Sequence, residues 1–362
     1  MRRRRLLSTL VALPTVAGAG CLTLDDDDEP TPTTDEPDPV RLERVRMRLD
    51  TPWGAAFHPR TGELYLTERP GRIQRATGRD AGLVRDLTGE TVERGESGLL
   101  GLTFDPADPT RAFAYQTYQR KSGLWNRILE LAVDRDFAVS GVLFDKIPAA
   151  GVNNGGRLAV GPENALYVTT GDADDPESAQ DTDSLAGKVL RLTLDGEPHP
   201  DNPFGNAVYS YGHRNPLGIT FVEGECYLCD HGLDGNDELN RVQPGENYGW
   251  PVVTGETQAN RFVDPLVSWS PQITPASLTY YRGGIERWQD SFFVGALTGQ
   301  HLRRVVIADD GPTEQDTFFG DLGRIRTTFT GPDGHLYLTT SDQDGEGDPE
   351  PTDDAVFRVL PP

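Results

Sequence analysis

Apolar residues in this chain come in short bursts the length of one strand, separated by turns of Pro, Gly, Asp and Asn. One phrase recurs. LAVGPENALYVTTGD (158–172) and TFTGPDGHLYLTTSD (328–342) nearly superimpose, and AAFHPRTGELYLTER (55–69) and ITFVEGECYLCDHG (219–232) repeat the pattern. LTFDPADPTRAFAYQTY (102–118) and IERWQDSFFVGAL (285–297) are looser copies. Each reads as a short strand, a turn, and a second strand rich in aromatic and β-branched residues, the grammar of a hairpin. Aligning the aromatic of each second strand gives Tyr65, Phe113, Tyr167, Tyr227, Phe293 and Tyr337, at intervals of 48, 54, 60, 66 and 44 residues by subtraction. About four strands fit each interval, which is the size of one propeller blade. No stretch sustains a 3.6-residue apolar period with caps. The pattern therefore predicts an all-β fold, a six-bladed β-propeller over residues 41–362. A pair of β-sandwiches is the alternative and accounts less well for the even repeat. In a propeller, turns from every blade meet at one end of the central channel, so polar residues far apart in sequence can share a pocket.

Charge narrows the partners. There are 34 basic and 57 acidic residues, a net charge of −23, in a chain of 362. That balance excludes nucleic acid and anionic membrane surfaces as partners, since both require a positive face. Lys121, Lys146 and Lys188 are the sole lysines. A carboxylate-rich, lysine-poor surface suits concentrated salt, where screening removes self-repulsion. The first residues, MRRRRLLSTLVALPTVAGAGC, read as an export signal of the twin-arginine type with a lipobox ending at Cys21. Residues 22–40 are acidic and rich in Pro and Thr, a spacer with little to bury. The expected product is exported and held to the outer face of the cell membrane by acyl chains on Cys21 alone. Cys226 and Cys229 form a C-x-x-C, but no second pair completes a four-ligand zinc site. Three residues apart on a strand they face opposite sides, which favours two core thiols over a redox pair.

The turns carry more chemistry than a scaffold needs. GESGLLGLTFDP (95–106), NNGGRLAVGP (153–162), YGHRNPLGITF (211–221), DHGLDGNDELNRVQPGENYGWP (230–251) and GRIRTTFTGPDGHLY (323–337) cluster charge, Gly and aromatic residues. In this order they resemble the soluble glucose and aldose sugar dehydrogenases that use pyrroloquinoline quinone (PQQ), six-bladed propellers with PQQ and Ca²⁺ at the channel mouth. The likeness covers nearly the whole folded chain, and HRNP and DELN…PGENYGWP are its most specific segments.

The resemblance implies roles by position. Arg214 and Asn215 match the family's cofactor-contacting pair, with Arg214 suited to the quinone oxygen on which charge develops. Arg324 and Arg326 alternate along a strand and match a pair gripping the PQQ carboxylates. Read without the family, they fit a surface ion-pair strand equally well. Glu96 stands where the family sets a polar residue, often Gln, against the cofactor. Gly232 and Leu233 match a turn whose carbonyls hold the cofactor's Ca²⁺, although the family commonly has Pro at the second position. Glu238 and Tyr248 match a second, structural calcium site. The family oxidises a sugar at its anomeric carbon: a His takes the hydroxyl proton while hydride passes to the quinone, and an Asp orients that His. Asp172 matches the Asp. Asn153 occupies the place of the His, and a carboxamide cannot accept the proton. Thr298 stands where a Lys is usual and Gln272 where a small hydroxyl residue is common. His213 and His231 fall in segments expected to be turn or structural. Two readings follow, with a sugar as the small-molecule ligand in each. One is a PQQ-dependent dehydrogenase passing electrons to an external acceptor. The other is a decayed propeller of the same family that binds a sugar, calcium or a partner. A calcium-dependent lactone hydrolase rests on fold analogy alone.

Overall fold

The computed structural model describes residues 40–257, 259–308, 311–350 and 353–362. The export signal, Cys21 and all but the last residue of the acidic spacer lie outside the described residues. Six four-stranded antiparallel sheets form the fold, a six-bladed β-propeller. Blades 1 to 5 span residues 52–86, 99–148, 158–211, 216–269 and 275–318. Blade 6 joins three strands from residues 325–360 to Arg41–Arg46, which pairs with Val356–Leu360 and closes the ring. Five short 3₁₀ turns are the helical elements of the described residues. One corrects the sequence pattern: Glu286–Trp288 of IERW is such a turn, and the first strand of blade 5 lies upstream at Pro275–Tyr281.

The repeated phrase builds the seams between blades. Each aligned aromatic lies on the second strand of its blade, and second strands such as Leu64–Glu68, Leu166–Thr170 and Leu336–Thr340 are buried throughout. Successive side chains point to opposite faces, so each strand feeds two cores. Leu336 and Leu338 pack into the seam with blade 5, and Tyr337 into the seam with blade 1. Leu166 and Val168 face blade 2 while Tyr167 faces blade 4. The six apolar clusters correspond to the six seams. The free thiols obey the same alternation: buried Cys226 joins the seam with blade 3 and buried Cys229 the seam with blade 5.

At one end of the channel the innermost strands begin and the second strands finish. Pairing between first and second strands slips near that end at Pro52/Ala55, Leu99/Leu102, Pro216/Gly218, Pro275/Ser277 and Ile325/Thr327. Such bulges bend a strand and re-aim its side chains. Every blade thus presents two loops to this mouth.

Beneath the mouth, Arg157 crosses the channel. From blade 3 its guanidinium donates to the carbonyls of Leu217 in blade 4 (2.8 Å), Ala276 in blade 5 (2.7 Å) and Trp53 in blade 1 (3.3 Å), and to Thr327 Oγ1 in blade 6 (3.4 Å). It also lies 4.2 Å from the centroid of the Trp53 ring. Burial pushes its pKa down to about 9, which leaves it a cation at neutral pH. Arg157→Met strands these acceptors and is expected to cost about 3–5 kcal/mol of unfolding free energy, given ~1.5–3 kcal/mol per charged hydrogen bond less the desolvation relieved. Urea unfolding checks this, and a loss below about 1 kcal/mol would mean the guanidinium is not a tie between blades.

Candidate active site

Above Arg157 lies a cavity of about 250 Å³. Its lining alternates between the two kinds of loop. Glu96, Asn154, Gly155, Thr274, Arg324 and Arg326 come from segments at or just before first strands, and Arg69, His231, Thr298 and Asp344 from segments after second strands. The NNGG turn owes its course to glycine. Gly155 and Gly156 have φ of 60° and 99°, and a Cβ on Gly155 would fall 2.7 Å from the Gly171 nitrogen. Asn153 also sits in the left-handed region (φ 53°), which Asn tolerates better than most residues.

Asn153 is buried behind the wall rather than among the lining residues. Its Nδ2 donates to Asp172 Oδ1 at 2.9 Å, which turns Oδ1 of the amide away as an acceptor. Trp250 Nε1 donates to Asp172 Oδ2 at 2.9 Å. The Asn153 backbone N–H donates to Glu96 Oε2 at 2.9 Å, and Asn215 Nδ2 reaches the same oxygen at 3.1 Å. Asn215 Oδ1 in turn accepts from the Gly155 nitrogen at 3.0 Å. His231 lines the cavity with Nε2 on the Pro275 carbonyl at 3.2 Å, and burial pushes its pKa down, against the pull of Asp237 and Glu96.

The opposite wall is cationic. Arg324 Nη2 and Arg326 Nη2 both donate to Asp344 Oδ2 at 2.9 Å, and Arg69 Nη2 donates to the Asp344 carbonyl at 3.1 Å. Burial works to raise the Asp344 pKa, but Arg326 and Arg324 together outweigh it and hold the carboxyl below its ordinary value. Arg326 Nε is buried with no partner among the described residues.

The remaining expected residues divide. Arg214, Gly232, Glu238 and Tyr248 line a smaller cleft that adjoins the cavity at His231. Arg214 Nη1 donates to the Gly232 carbonyl at 3.0 Å and its guanidinium lies over the Trp250 ring. It is therefore not among the residues lining the larger cavity. Glu238 accepts from the Gly255 nitrogen and Asn240 Nδ2, and burial pushes its pKa up to about 7. The Tyr248 hydroxyl donates to the Arg241 carbonyl. Leu233 is 51% exposed and outside both linings. Gln272 is also exposed and outside them. The hydroxyl residue of that segment is Thr274, hydrogen-bonded to Thr298 at 2.7 Å. Sequence reasoning missed Asp344 and Arg69 on the cavity wall and Trp250 in the smaller cleft. Trp250 stood within a motif already singled out, whereas nothing in the acidic run SDQDGEGDPE marked Asp344.

Burial raises the Asp172 pKa above its ordinary 3.8, against hydrogen bonds from Asn153, Asp174 and Trp250. The folded state then holds a proton over a pH range where the unfolded chain has released it. Stability from this group is present below pH 3.8 and is lost as pH rises through the folded value. Wild type should therefore lose stability relative to Asp172→Asn between about pH 4 and 7, as urea unfolding at the two pH values would register. A difference that does not change with pH would contradict the burial of this charge.

A family model described as glucose/sorbosone dehydrogenase matches residues 49–347. Aldose sugar dehydrogenase YliI of Escherichia coli (strain K12) is 30% identical over 346 residues, covering 86% of this chain and 92% of its own length. The structure of a Thermus thermophilus protein described as an oxidoreductase (glucose dehydrogenase) superposes with a TM-score of 0.83 at 40% identity, covering 89% of this chain and 100% of that one. The PQQ-bound form of aldose sugar dehydrogenase from Streptomyces coelicolor gives a TM-score of 0.80 at 33% identity over 90% and 99%. By sequence and by fold, this chain belongs to the glucose/sorbosone dehydrogenase family.

Proposed function

We propose that the protein is a PQQ-dependent sugar dehydrogenase that oxidises aldoses at the anomeric carbon. It would work outside the cytoplasm on a lipid anchor at Cys21 and pass electrons to an external acceptor. The observation that carries the reading is the arginine wall. Arg324 and Arg326 converge on one carboxylate oxygen, and the buried Nε of Arg326 still lacks an acceptor. A guanidinium fork is shaped for a planar carboxylate, and PQQ bears three. The PQQ-bound relative from Streptomyces coelicolor gives the same reading independent support.

When bound, PQQ supplies a quinone that accepts two electrons as hydride. Arg324 and Arg326 would hold its carboxylates, in competition with Asp344. Asn153, buried behind the wall with Nδ2 on Asp172, cannot take a sugar proton. The calcium reading rests on the Gly232 and Leu233 carbonyls and on Glu238 and Tyr248. The donors are hard oxygens, as Ca²⁺ requires. However, Gly232 O already accepts a guanidinium N–H, and no step is derived through the ion. The competing reading, a decayed propeller that binds without turnover, is supported by Asn153 in place of the His and Thr298 in place of the Lys.

Calorimetry of the domain from residue 41 in high salt with Ca²⁺, followed by dye reduction with a panel of aldoses, tests the proposal. PQQ should bind at one site, and Arg326→Ala should weaken it roughly 10–100-fold, the value of about 1.4–2.8 kcal/mol for a lost charge-assisted bond. Absence of PQQ binding would sink the dehydrogenase reading. Binding without turnover on any aldose would favour the decayed propeller.

A further inference from the structure

The cavity that lacks a base at Asn153 has a carboxylate beside it. Glu96 lines the cavity, and its Oε2 is fixed by N–H donors on either side, from Asn153 (2.9 Å) and Asn215 (3.1 Å). Its Oε1 takes no hydrogen bond from the described residues. The backbone around it is rigid. Glu96 N donates to the Gly151 carbonyl at 2.8 Å, and a Cβ on Gly95 would fall 2.2 Å from that same oxygen. The carboxylate is thus held between the Asn153 turn and the Asn215 turn, with one oxygen open to the cavity.

Two other proton acceptors of the cavity, Asp344 and His231, are already hydrogen-bonded. Asp344 bridges Arg324 and Arg326. Glu346, exposed as Glu96 is, stands two residues from Asp344 in the segment of the arginine wall, and not in the turns that hold Asn153 and Asn215. His231 uses Nε2 on Pro275, and its Nδ1 is turned to the Asn215 amide at 3.5 Å. Resting on the PQQ reading, we propose that Glu96 is the catalytic base: it replaces the missing imidazole at position 153 and takes the proton of the anomeric hydroxyl. In this step the O–H bond breaks and its proton goes to Glu96. The electron pair of the O–H bond forms the C=O bond of the lactone, and the C–H bond gives its pair, as hydride, to the quinone oxidant. Two electrons and one proton thus pass to the oxidant and one proton to the carboxylate. Asn153, behind the wall with Nδ2 on Asp172, holds the Glu96 carboxylate through its backbone N–H. The titratable and charged groups around Glu96 are Arg326, Arg324, Arg69, Asp344 and His231 on the cavity lining, and Asp172 behind Asn153.

Three proteins test this: wild type, Glu96→Gln, and Glu96→Gln/Asn153→His. PQQ affinity is measured by calorimetry, and sugar oxidation is measured against pH. Glu96→Gln should keep its PQQ dissociation constant within about threefold and lose turnover by ~10²–10⁴-fold, the usual worth of general base catalysis. The double variant should regain at least a tenth of the lost rate, with the acid limb of kcat/KM moved to higher pH because an imidazole releases its proton later than a carboxyl. A Glu96→Gln protein that turns over like wild type overturns the proposal while the PQQ reading stands. So does a wild type that binds PQQ without oxidising sugar. Loss of PQQ affinity in step with turnover makes Glu96 a cofactor-holding residue and also overturns it. A wild type that does not bind PQQ overturns both.

Discussion

One buried guanidinium ties the ring together. Arg157 starts in blade 3 and bonds to blades 1, 4, 5 and 6, so the inner strands share a single cation at the axis. Apart from Trp53, Leu217, Ala276 and Leu297, which join the blade 2–3 cluster across the channel, the apolar seams act between neighbouring blades, and the Arg41–Arg46 strand closes only the outer edge of blade 6. The axis therefore depends on a polar contact, and a flexible ammonium could not reach in as many directions as the planar fork does. The same guanidinium underlies the floor of the cavity without lining it. Trp53 and Leu217, whose carbonyls it holds, line the space above. Position and stability are thus coupled, because the inner strands that Arg157 orders are the ones that lead out of the NNGG, HRNP and GRIRT turns.

Above that floor the charges are sorted. Three guanidiniums and Asp344 occupy one wall, while Glu96, Asn153 and the Asp172 carboxylate sit on or behind the other. Such an arrangement holds an anionic, planar ligand by one end and leaves its other end against polar groups. Asp344 acts as an internal stand-in for a ligand carboxylate, since it accepts from both Arg324 and Arg326. Any anionic cofactor must displace or share that oxygen, so the affinity of the site reflects the competition between two carboxylates for the same pair of donors.

The fold was legible because the repeat is written in period-2 strands and turn residues. Tyr65, Phe113, Tyr167, Tyr227, Phe293 and Tyr337 each mark a second strand. The site was legible in part. Glu96, Thr298, Arg324 and Arg326 line the cavity, and Asn153, Asp172 and Asn215 stand one bond behind it. Gln272 failed because the bulge at Pro275/Ser277 and the turn before it bring Thr274 to the wall instead, and spacing along the chain does not encode where a turn re-aims a side chain. Asp344 was hidden in an acidic run that reads as solvated surface. What draws it inward is a pair of arginines 18 and 20 residues earlier in the chain, a contact that local pattern cannot show. Arg157 was visible as part of GGRLAVG, but its reach across the channel follows from ring closure alone.

The central claim is that this cavity is a PQQ site held by the arginine wall. The most direct measurement is a crystal structure of the protein grown with PQQ. The account expects the cofactor in the cavity with a carboxylate on Arg326 Nε and on Arg324, and with the Asp344 carboxylate moved off or sharing those donors. PQQ found elsewhere on the propeller, or a cavity in which Arg324 and Arg326 still hold Asp344 alone at saturating cofactor, would contradict it.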